Sequence, residues 1–156
     1  IPYPKEFFDL VTAFDILEHL EDDSVVLREM KRLIKPGGLI MITVPAFPFL
    51  WSPHDNYLGH KRRYRKAALL EKFTALGLDV VESSYFIMPT VPMIILRRFL
   101  EKFFKPNAKA HSFDITLPKW LNVIMISWLK IEKLFLKIFS IPLGSSLYVI
   151  AKKSNP

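Results

Sequence analysis

Hydrophobic positions along the first half of the chain follow two different spacings. Residues 8–14 and 39–44 are short, almost continuous apolar runs, which is typical of strands covered on both faces. Pro45 ends the second run, because proline cannot donate to a strand ladder. Between the two runs, apolar side chains recur at helical spacing and predict an amphipathic helix through Val26, Leu27, Met30, Leu33 and Ile34.

Capping residues mark where that helix begins and ends. Asp22 or Asp23 suits the N-cap position, where a carboxylate meets the positive end of the helix dipole. The run Pro36-Gly37-Gly38 is expected to stop the helix. A second helix is predicted over residues 66–76, followed by Gly77 in a left-handed conformation and by a strand over 78–86.

The C-terminal part of the chain is apolar and basic. It contains an apolar stretch over residues 86–104, a polar loop around 106–114, a helix over about 118–139 and a final strand at 147–151. We expect one domain over residues 1–156, with the core strands and helices in 1–86. A helical insert would occupy 87–143, and the last strand 144–153.

The alternation of strands and helices predicts an α/β fold, with a parallel sheet and helices on both faces. Residues 8–14 are as apolar as a central strand, yet no earlier segment of the sequence offers a neighbour for their other side. Because long apolar edge strands promote aggregation, natural proteins avoid them. We therefore expect upstream strands, in a domain that is truncated at its N-terminus in this sequence.

Composition and charge narrow the classes of function. The chain has 156 residues, of which 51% are hydrophobic and none is Cys, which excludes disordered chains, disulfide scaffolds and cysteine nucleophiles. The first 55 residues carry five Lys and Arg against nine Asp and Glu, a net charge of −4; the remainder carries seventeen against six, a net charge of +11. The basic part indicates an anionic partner, such as nucleic acid, a phospholipid surface or a phosphorylated small molecule.

Three segments, in register with one another, resemble class I S-adenosylmethionine-dependent methyltransferases, and more narrowly the branch called methyltransferase type 11. They are FDLV at 8–11, LEHL at 17–20 and LREMKRLIKPGG at 27–38, and the resemblance covers residues 7–86. It implies a partial Rossmann-like sheet with helices on both faces, in which 8–14, 39–44, 78–86 and 147–151 are strands four to seven. The seventh strand would be antiparallel to its neighbours.

The resemblance also implies S-adenosylmethionine as the cofactor. The family's glycine-rich turn and its ribose-binding acidic residue belong to earlier strands, and no Gly precedes Gly37 here. We therefore expect this chain alone to bind the cofactor weakly and to be inactive. Ligands of open α/β sheets lie outside the carboxyl ends of strands, so Phe14 and Asp15 are predicted to face the cofactor. Asp15 could pair with the ammonium of the methionine moiety, or merely cap the turn.

Glu18 and His19 have three interpretations. In the first, His19 hydrogen-bonds the backbone and Glu18 supports the turn. In the second, His19 lines the acceptor pocket as a base or a hydrogen-bond donor. The third follows from a resemblance of Asp15, Glu18 and His19 to a motif of some metal-dependent methyltransferases, with Mg²⁺ or Zn²⁺ as the ion. Because no second histidine stands in a known register, we assign no metal.

The long connection over residues 46–65 is the predicted acceptor side, since a connection of this length in a compact domain is usually functional. In the family, the segment in this place tends to cover the substrate. The predicted catalytic residues are His19, His54 and His60, and the predicted substrate-binding residues are Trp51, Asp55, Arg63 and Tyr64. Arg63 suits a carboxylate or phosphate. Alternatively, residues 61–66 are a solvated basic turn.

The basic C-terminal segment is not expected to span a membrane. The apolar stretch at residues 86–96 is too short, and residues 120–139 are interrupted by the charged residues Lys130, Glu132, Lys133 and Lys137. It either lies on an anionic membrane as an amphipathic helix or packs over the sheet. We predict a cytoplasmic methyltransferase, with possible peripheral membrane contact, that acts on a small-molecule, lipid-linked or glycan-linked acceptor. Nucleic acid is not expected. The alternative is a non-catalytic module that binds an anionic membrane surface or partner.

Overall fold

A computed structural model of the protein describes residues 1–104 and 118–154. Its strands are β1 (Phe8–Phe14), β2 (Ile34–Pro45), β3 (Leu78–Phe86) and β4 (Ser146–Lys153). Its α-helices, within the described residues, are α1 (Asp23–Leu33), α2 (Pro53–Tyr57), α3 (Lys66–Ala75), α4 (Thr90–Phe104) and α5 (Lys119–Leu136). Two 3-10 turns lie at Leu17–His19 and Pro48–Leu50. The predicted polar loop at 106–114 lies outside the described residues.

The four strands form one sheet in the order β1-β2-β4-β3. β1 pairs with β2 in parallel, whereas β4 is antiparallel to both β2 and β3. The α/β class and the antiparallel last strand are thereby confirmed; the numbering of these strands as four to seven stays a prediction. Because β1, β2 and β3 run in the same direction, their C-terminal ends lie along one side of the sheet, which we call the carboxyl edge.

Helices α1 and α3 lie side by side against one face of the sheet. Ile40 and Ile42 of β2 are fully buried in one core cluster with Leu27 of α1 and Phe73 of α3. Polar contacts join the two helices at the rim of that core: Lys72 Nζ donates to a carboxylate oxygen of Asp23 over 2.5 Å. Packing on the sheet, rather than helix propensity alone, therefore holds both helices in place.

The start of α1 was predicted correctly and its end was not. Asp22 Oδ1 accepts from Ser24 N over 2.9 Å, as an N-cap does. The helix ends at Leu33, and β2 runs on through Pro36-Gly37-Gly38, so these residues do not stop the helix. A Cβ on Gly38 would lie 3.0 Å from the backbone oxygen of Asp9. The glycine is needed because β1 and β2 approach closely there.

β1 is less buried than its apolar sequence predicts. Val11 and Ala13 pack against the core cluster, but Leu10 and Phe14 are 52% and 51% exposed. Among the described residues β1 pairs only with β2. The prediction that residues 8–14 are buried on both faces is therefore wrong for the described chain, because apolar sequence buries a strand only where another layer covers it.

The remaining elements match the predicted pattern closely. α3 and β3 lie where expected, and Gly77 after α3 has φ +65°. The apolar stretch after β3 forms α4, and α5 is somewhat shorter than predicted. α5 is largely uncovered: among its described side chains only Glu132 is buried. The division into core, insert and last strand stays a prediction.

Candidate functional site

The backbone is strained where three strands end at the carboxyl edge. Asp15 follows β1 with φ 51°, Phe47 lies two residues after the end of β2 with φ 56°, and Ile87 follows β3 with φ 59°. Left-handed backbone is uncommon for residues other than glycine, and such strain collects at binding sites. Of the described non-glycine residues only Glu6, before β1, shares it. The carboxyl edge is therefore the candidate site.

Asp15 presents its carboxylate at this edge. The side chain is exposed, its backbone N–H donates to the Thr43 carbonyl over 3.0 Å, and Thr43 Oγ1 lies 3.3 Å from Asp15 Oδ1. Phe14 beside it is half-exposed. The two predicted cofactor residues thus lie accessible at the end of β1. Sequence reasoning overlooked Thr43, although a hydroxyl near the end of an otherwise apolar strand was a readable signal.

The 3-10 turn after β1 carries an unusual carboxyl group. Glu18 is completely buried, and neither of its oxygens has a hydrogen-bond partner in another described residue. Burial raises the pKa of Glu18 to about 7; its own backbone N–H opposes this, the charge of Asp15 adds to it, and Arg63 opposes it. The Glu18 carboxyl can therefore bind a proton or a cation near neutral pH.

The end of the 46–65 connection is bonded to this turn. The backbone N–H of Lys61 donates to the Glu18 carbonyl over 2.6 Å, and Arg62 Nη2 donates to the Leu20 carbonyl over 3.0 Å. As a result the ring centroids of His19 and His60 lie 4.9 Å apart in an edge-to-face arrangement. Two of the three predicted catalytic histidines are thus neighbours, although forty-one positions of sequence separate them.

Asp55 fixes the orientation of the His60 ring through a hydrogen bond. It is fully buried, its Oδ1 lies 2.9 Å from His60 Nδ1, and Arg63 Nε donates to the same oxygen over 2.7 Å. Ser52 N donates to Oδ2 over 2.8 Å. Burial raises the pKa of Asp55, but the hydrogen bonds from Arg63 and His60 outweigh it and hold the pKa below its usual range. With Asp55 ionised, His60 donates through Nδ1, which leaves Nε2 as an acceptor.

The other predicted residues lie apart from this cluster. Tyr64 is in the core, where its hydroxyl donates to Asp23 over 2.8 Å and burial, with that bond, raises its pKa. Trp51 is half-buried and donates from its indole to Asn56 over 3.2 Å. His54 is half-buried, and its ring centroid lies 6.5 Å from that of Tyr57. Sequence reasoning gave no sign that Glu18 would be buried without a partner.

Comparison with known proteins relates parts of this chain to methyltransferases. A family model described as a methyltransferase domain matches residues 1–42. The ubiquinone/menaquinone biosynthesis C-methyltransferase of Cupriavidus metallidurans is 39% identical over 57 residues, which are 36% of this chain and 23% of that protein. The protein of the same name from Vibrio vulnificus is 33% identical over 96 residues, 60% of this chain and 34% of that protein.

Solved structures agree as well. A methyltransferase from Archaeoglobus fulgidus that depends on S-adenosylmethionine superimposes with a TM-score of 0.54 at 17% identity, covering 96% of this chain and 61% of that one. These findings confirm the predicted class: the chain resembles class I methyltransferases, with their Rossmann-like fold and S-adenosylmethionine as cofactor. Within that class it resembles the methyltransferase domain family that the family model describes. The chain spans less than two thirds of the length of these relatives.

The length and apolar character of the helices bear on whether any of them could cross a membrane. Within residues 1–104 and 118–154, no helix combines the length and the apolar character needed to cross a bilayer.

Proposed function

We propose that the protein transfers the methyl group of S-adenosylmethionine to an acceptor that binds at the carboxyl edge, between Asp15 and the two neighbouring histidines. One observation carries this proposal: the strained end of β1, the 3-10 turn and the end of the 46–65 connection converge there. Parallel strands place ligands at this edge in open α/β sheets. The similarity to methyltransferases supplies the class of reaction.

Phe14 and Asp15 would hold the cofactor. Bound S-adenosylmethionine supplies a methyl group on a sulfonium, together with an α-ammonium group. The exposed Asp15 carboxylate, fixed beside Thr43, fits such an ammonium, and the exposed ring of Phe14 offers an apolar surface next to it. These two residues fit one end of the cofactor, while the rest of its contacts would come from other groups.

His60 and His19 would act on the acceptor. Methyl transfer forms a bond from the acceptor atom to carbon, breaks the carbon–sulfur bond and releases one proton from the acceptor. His60 Nε2 is suited to accept that proton, because Asp55 and Arg63 hold the ring through Nδ1. His54 and Trp51, which lie apart from the two histidines, would contact only a distal part of the acceptor, and Tyr64 would support the 46–65 connection from the core. Positioning, rather than covalent catalysis, would supply most of the acceleration.

Of the three predicted kinds of acceptor (small-molecule, lipid-linked and glycan-linked), the observations favour a lipid-linked one. The relatives from Cupriavidus and Vibrio are named for quinone biosynthesis, and α5 of this chain exposes apolar side chains in a way that suits a membrane-associated substrate. Other small molecules and glycan-linked acceptors stay within the proposal.

Titration of the purified protein with S-adenosylmethionine, at concentrations high enough to follow the weak binding expected of this chain alone, tests the cofactor site. Asp15→Asn should weaken binding at least tenfold, because it removes the charge that pairs with the ammonium. Asp9→Asn is the matched control, since Asp9 is an exposed carboxylate of β1, the strand that ends next to Asp15, and it pairs with Lys35. Equal effects of the two substitutions would contradict the role of Asp15. Radiolabelled methyl transfer to a polyprenyl quinone precursor then tests the reaction.

A second candidate function is adsorption to an anionic membrane, with or without catalysis. In α5 and just beyond it, Lys119, Lys130, Lys133 and Lys137 fall on one stripe at helical spacing. Apart from Asn122, Ser127 and the buried Glu132, the rest of the helix is apolar, and most of it is open to solvent, including Trp120 (65% exposed), Ile124 (52%) and Leu134 (60%). This combination of an apolar body and a lysine stripe is typical of helices that lie in the headgroup region.

Vesicle sedimentation separates this function from packing of the helix within the protein. Binding to vesicles with phosphatidylglycerol should exceed binding to phosphatidylcholine vesicles and should fall as salt increases. The double substitution Lys130→Glu, Lys133→Glu should lower binding at least tenfold, whereas Lys152→Glu on β4 should leave it unchanged. Binding that is independent of lipid charge would refute the electrostatic part, and absence of binding would refute the whole.

A further inference from the structure

Three side chains at the carboxyl edge have donor atoms that converge on one point. Glu18 offers a carboxylate oxygen, and His19 and His60 each offer a ring nitrogen; these atoms all lie within 4.8 Å of one another. The bond from Lys61 N to the Glu18 carbonyl holds the two contributing segments together. Two imidazoles and one carboxylate are a ligand set for Zn²⁺ and related first-row divalent ions.

The surroundings of Glu18 point to a ligand at this place. The residue is completely buried, and no other described residue donates a hydrogen bond to either carboxylate oxygen. A buried carboxylate without a donor is strongly destabilising unless a proton or a cation neutralises it. A glutamate that served only to support the turn would have its oxygens bonded to that turn. A cation between the three side chains would satisfy the carboxylate.

His60 is already oriented as metal-binding histidines are. Its Nδ1 lies 2.9 Å from Asp55 Oδ1, and Asp55 is in turn held by Arg63 over 2.7 Å. Histidine ligands almost always donate their second ring N–H to a carboxylate or carbonyl, which fixes the tautomer and makes the free nitrogen more basic. The pair therefore leaves Nε2 of His60 available to an ion.

We propose that Glu18, His19 and His60 bind one divalent cation of the zinc type, with at least one coordination position open at the carboxyl edge. Ligand bonds of about 2.0–2.2 Å would place the donor atoms roughly 3.5 Å apart in a tetrahedral site, so no pair of them needs to close by more than about 1.3 Å. His19 is exposed and free to supply that movement. Three protein ligands and an open position are typical of catalytic rather than structural zinc.

The open position gives the ion a role in the reaction, and only this role rests on the proposed function. An acceptor hydroxyl or enol oxygen bound there would lose its proton more readily, because a divalent cation lowers the pKa of a bound oxygen. His60 would then hold the ion that activates the acceptor, and the released proton would pass to solvent water at the carboxyl edge. Metal binding by the three side chains does not depend on methyl transfer.

Calorimetric titration of the purified protein with ZnCl₂, without cofactor or acceptor, tests the site. We expect saturable binding of one ion per chain. Glu18→Gln and His19→Ala should each weaken it at least tenfold, and His19 is exposed, so its loss leaves the core intact. Glu71→Gln is the matched control, since Glu71 is an exposed carboxylate on α3 outside the cluster. Co²⁺ substitution should give visible absorption that Glu18→Gln abolishes.

The outcomes are separable. Absence of saturable binding, or wild-type affinity in either Glu18→Gln or His19→Ala, would overturn the metal site even if S-adenosylmethionine binding is intact. Zinc binding that follows the expected pattern, in a protein that transfers no methyl group, would refute only the proposed function. Equal weakening by Glu71→Gln would show that zinc binds through scattered surface carboxylates, which also overturns the site.

Discussion

At the scale of single residues, Asp15 allows two requirements to be tested separately: the left-handed backbone that the fold needs, and the carboxylate that cofactor binding needs. Its φ of 51° is costly for most side chains and free for glycine. We therefore expect Asp15→Gly to keep the free energy of unfolding within about 1 kcal/mol, because relief of strain offsets the added freedom of the unfolded chain. Urea denaturation measures this.

The same substitution within β1 provides the control. Asp9→Gly places glycine in extended backbone, where it should destabilise the protein by about 1 kcal/mol. Asp15→Gly should nevertheless weaken S-adenosylmethionine binding as much as Asp15→Asn does, because both remove the carboxylate. A large loss of stability in Asp15→Gly would show that the side chain, through Thr43, holds the turn.

The residue types in the sequence indicated which residues belong to the site, but not how those residues are arranged. The sequence alone indicated His60, Asp55 and Arg63 as candidates, and the structure joins them by hydrogen bonds. It could not indicate that Glu18 would be buried without a donor, because burial depends on the whole 46–65 connection folding back over the turn. Tyr64 looked like a substrate contact, whereas its position in the core depends on Asp23, far away in sequence.

At the scale of elements, Gly144 controls how the chain enters β4. A Cβ there would lie 2.2 Å from the carbonyl oxygen of Phe86 and 2.5 Å from its nitrogen, both backbone atoms of β3 that cannot give way. We expect Gly144→Ala to lower the free energy of unfolding by about 3 kcal/mol or more, since the end of β3 must separate from β4. Chemical denaturation of the purified variant measures the loss.

Gly59 is the matched control for that substitution. It has φ +74°, but a Cβ there would meet nothing within 4 Å. Gly59→Ala should therefore cost only the backbone strain, about 1 kcal/mol. Similar losses in both variants would mean that the chain at Gly144 can move aside, and that β3 and β4 pair less tightly than the structure indicates.

Glu132 anchors α5 to the rest of the molecule. Its buried carboxylate accepts from the backbone N–H groups of Ile87, over 2.5 Å, and Met88, over 3.1 Å. Glu132→Ala should leave the sheet intact but release the helix, because the other described side chains of α5 are not buried. Hydrogen exchange should accelerate in α5 and stay slow in β2, with Glu71→Ala as control. Uniform acceleration would contradict a local anchor.

The elements themselves were largely predictable, because their periodicities are local properties of the sequence. The starts of α1 and α3 and both ends of β3 follow from capping residues and apolar spacing. The end of α1 was not predictable in this way, because Pro36-Gly37-Gly38 has two uses. The run can end a helix, or it can let two strands approach closely, and only the pairing of β1 with β2 decides between them.

At the scale of the whole molecule, the acidic first part and the basic remainder of the chain meet through buried carboxylates. Asp23 on α1 accepts hydrogen bonds from Tyr64 over 2.8 Å and from Lys72 over 2.5 Å. Asp55 accepts from Arg63. Each of these contacts joins a residue of the acidic first 55 positions to a cation or hydroxyl of the basic part. The uneven charge along the sequence therefore serves the fold as well as any anionic partner.

This arrangement makes stability depend on pH in a definite direction. Burial raises the pKa of Asp23, but hydrogen bonds from Lys72 and Tyr64, and the charges of Lys72 and Arg62, outweigh it and hold the pKa below its usual value of 3.8. A carboxyl whose folded pKa is depressed stabilises the fold above its unfolded pKa and loses that contribution as pH falls through the folded pKa. The contribution of Asp23 to the free energy of unfolding should thus be lost below about pH 5. The raised pKa of Glu18 acts in the opposite direction, because its folded state holds a proton more tightly, and lowers stability as pH rises from about 4.5 to 7.

Two variants identify the carboxylates responsible for the loss of stability in acid. Asp23→Asn should cost about 2 kcal/mol at pH 7, because Lys72 loses its charged partner, and should flatten part of the pH dependence. Tyr64→Phe should cost about 1 kcal/mol, the loss of one hydrogen bond, and should keep most of the slope. Asp9→Asn, an exposed pair with Lys35, should change neither by more than about 0.5 kcal/mol. An acid slope that Asp23→Asn leaves intact would assign acid unfolding to other carboxylates with a lowered pKa, chiefly Asp55 beside Arg63 and Glu29 beside Arg32.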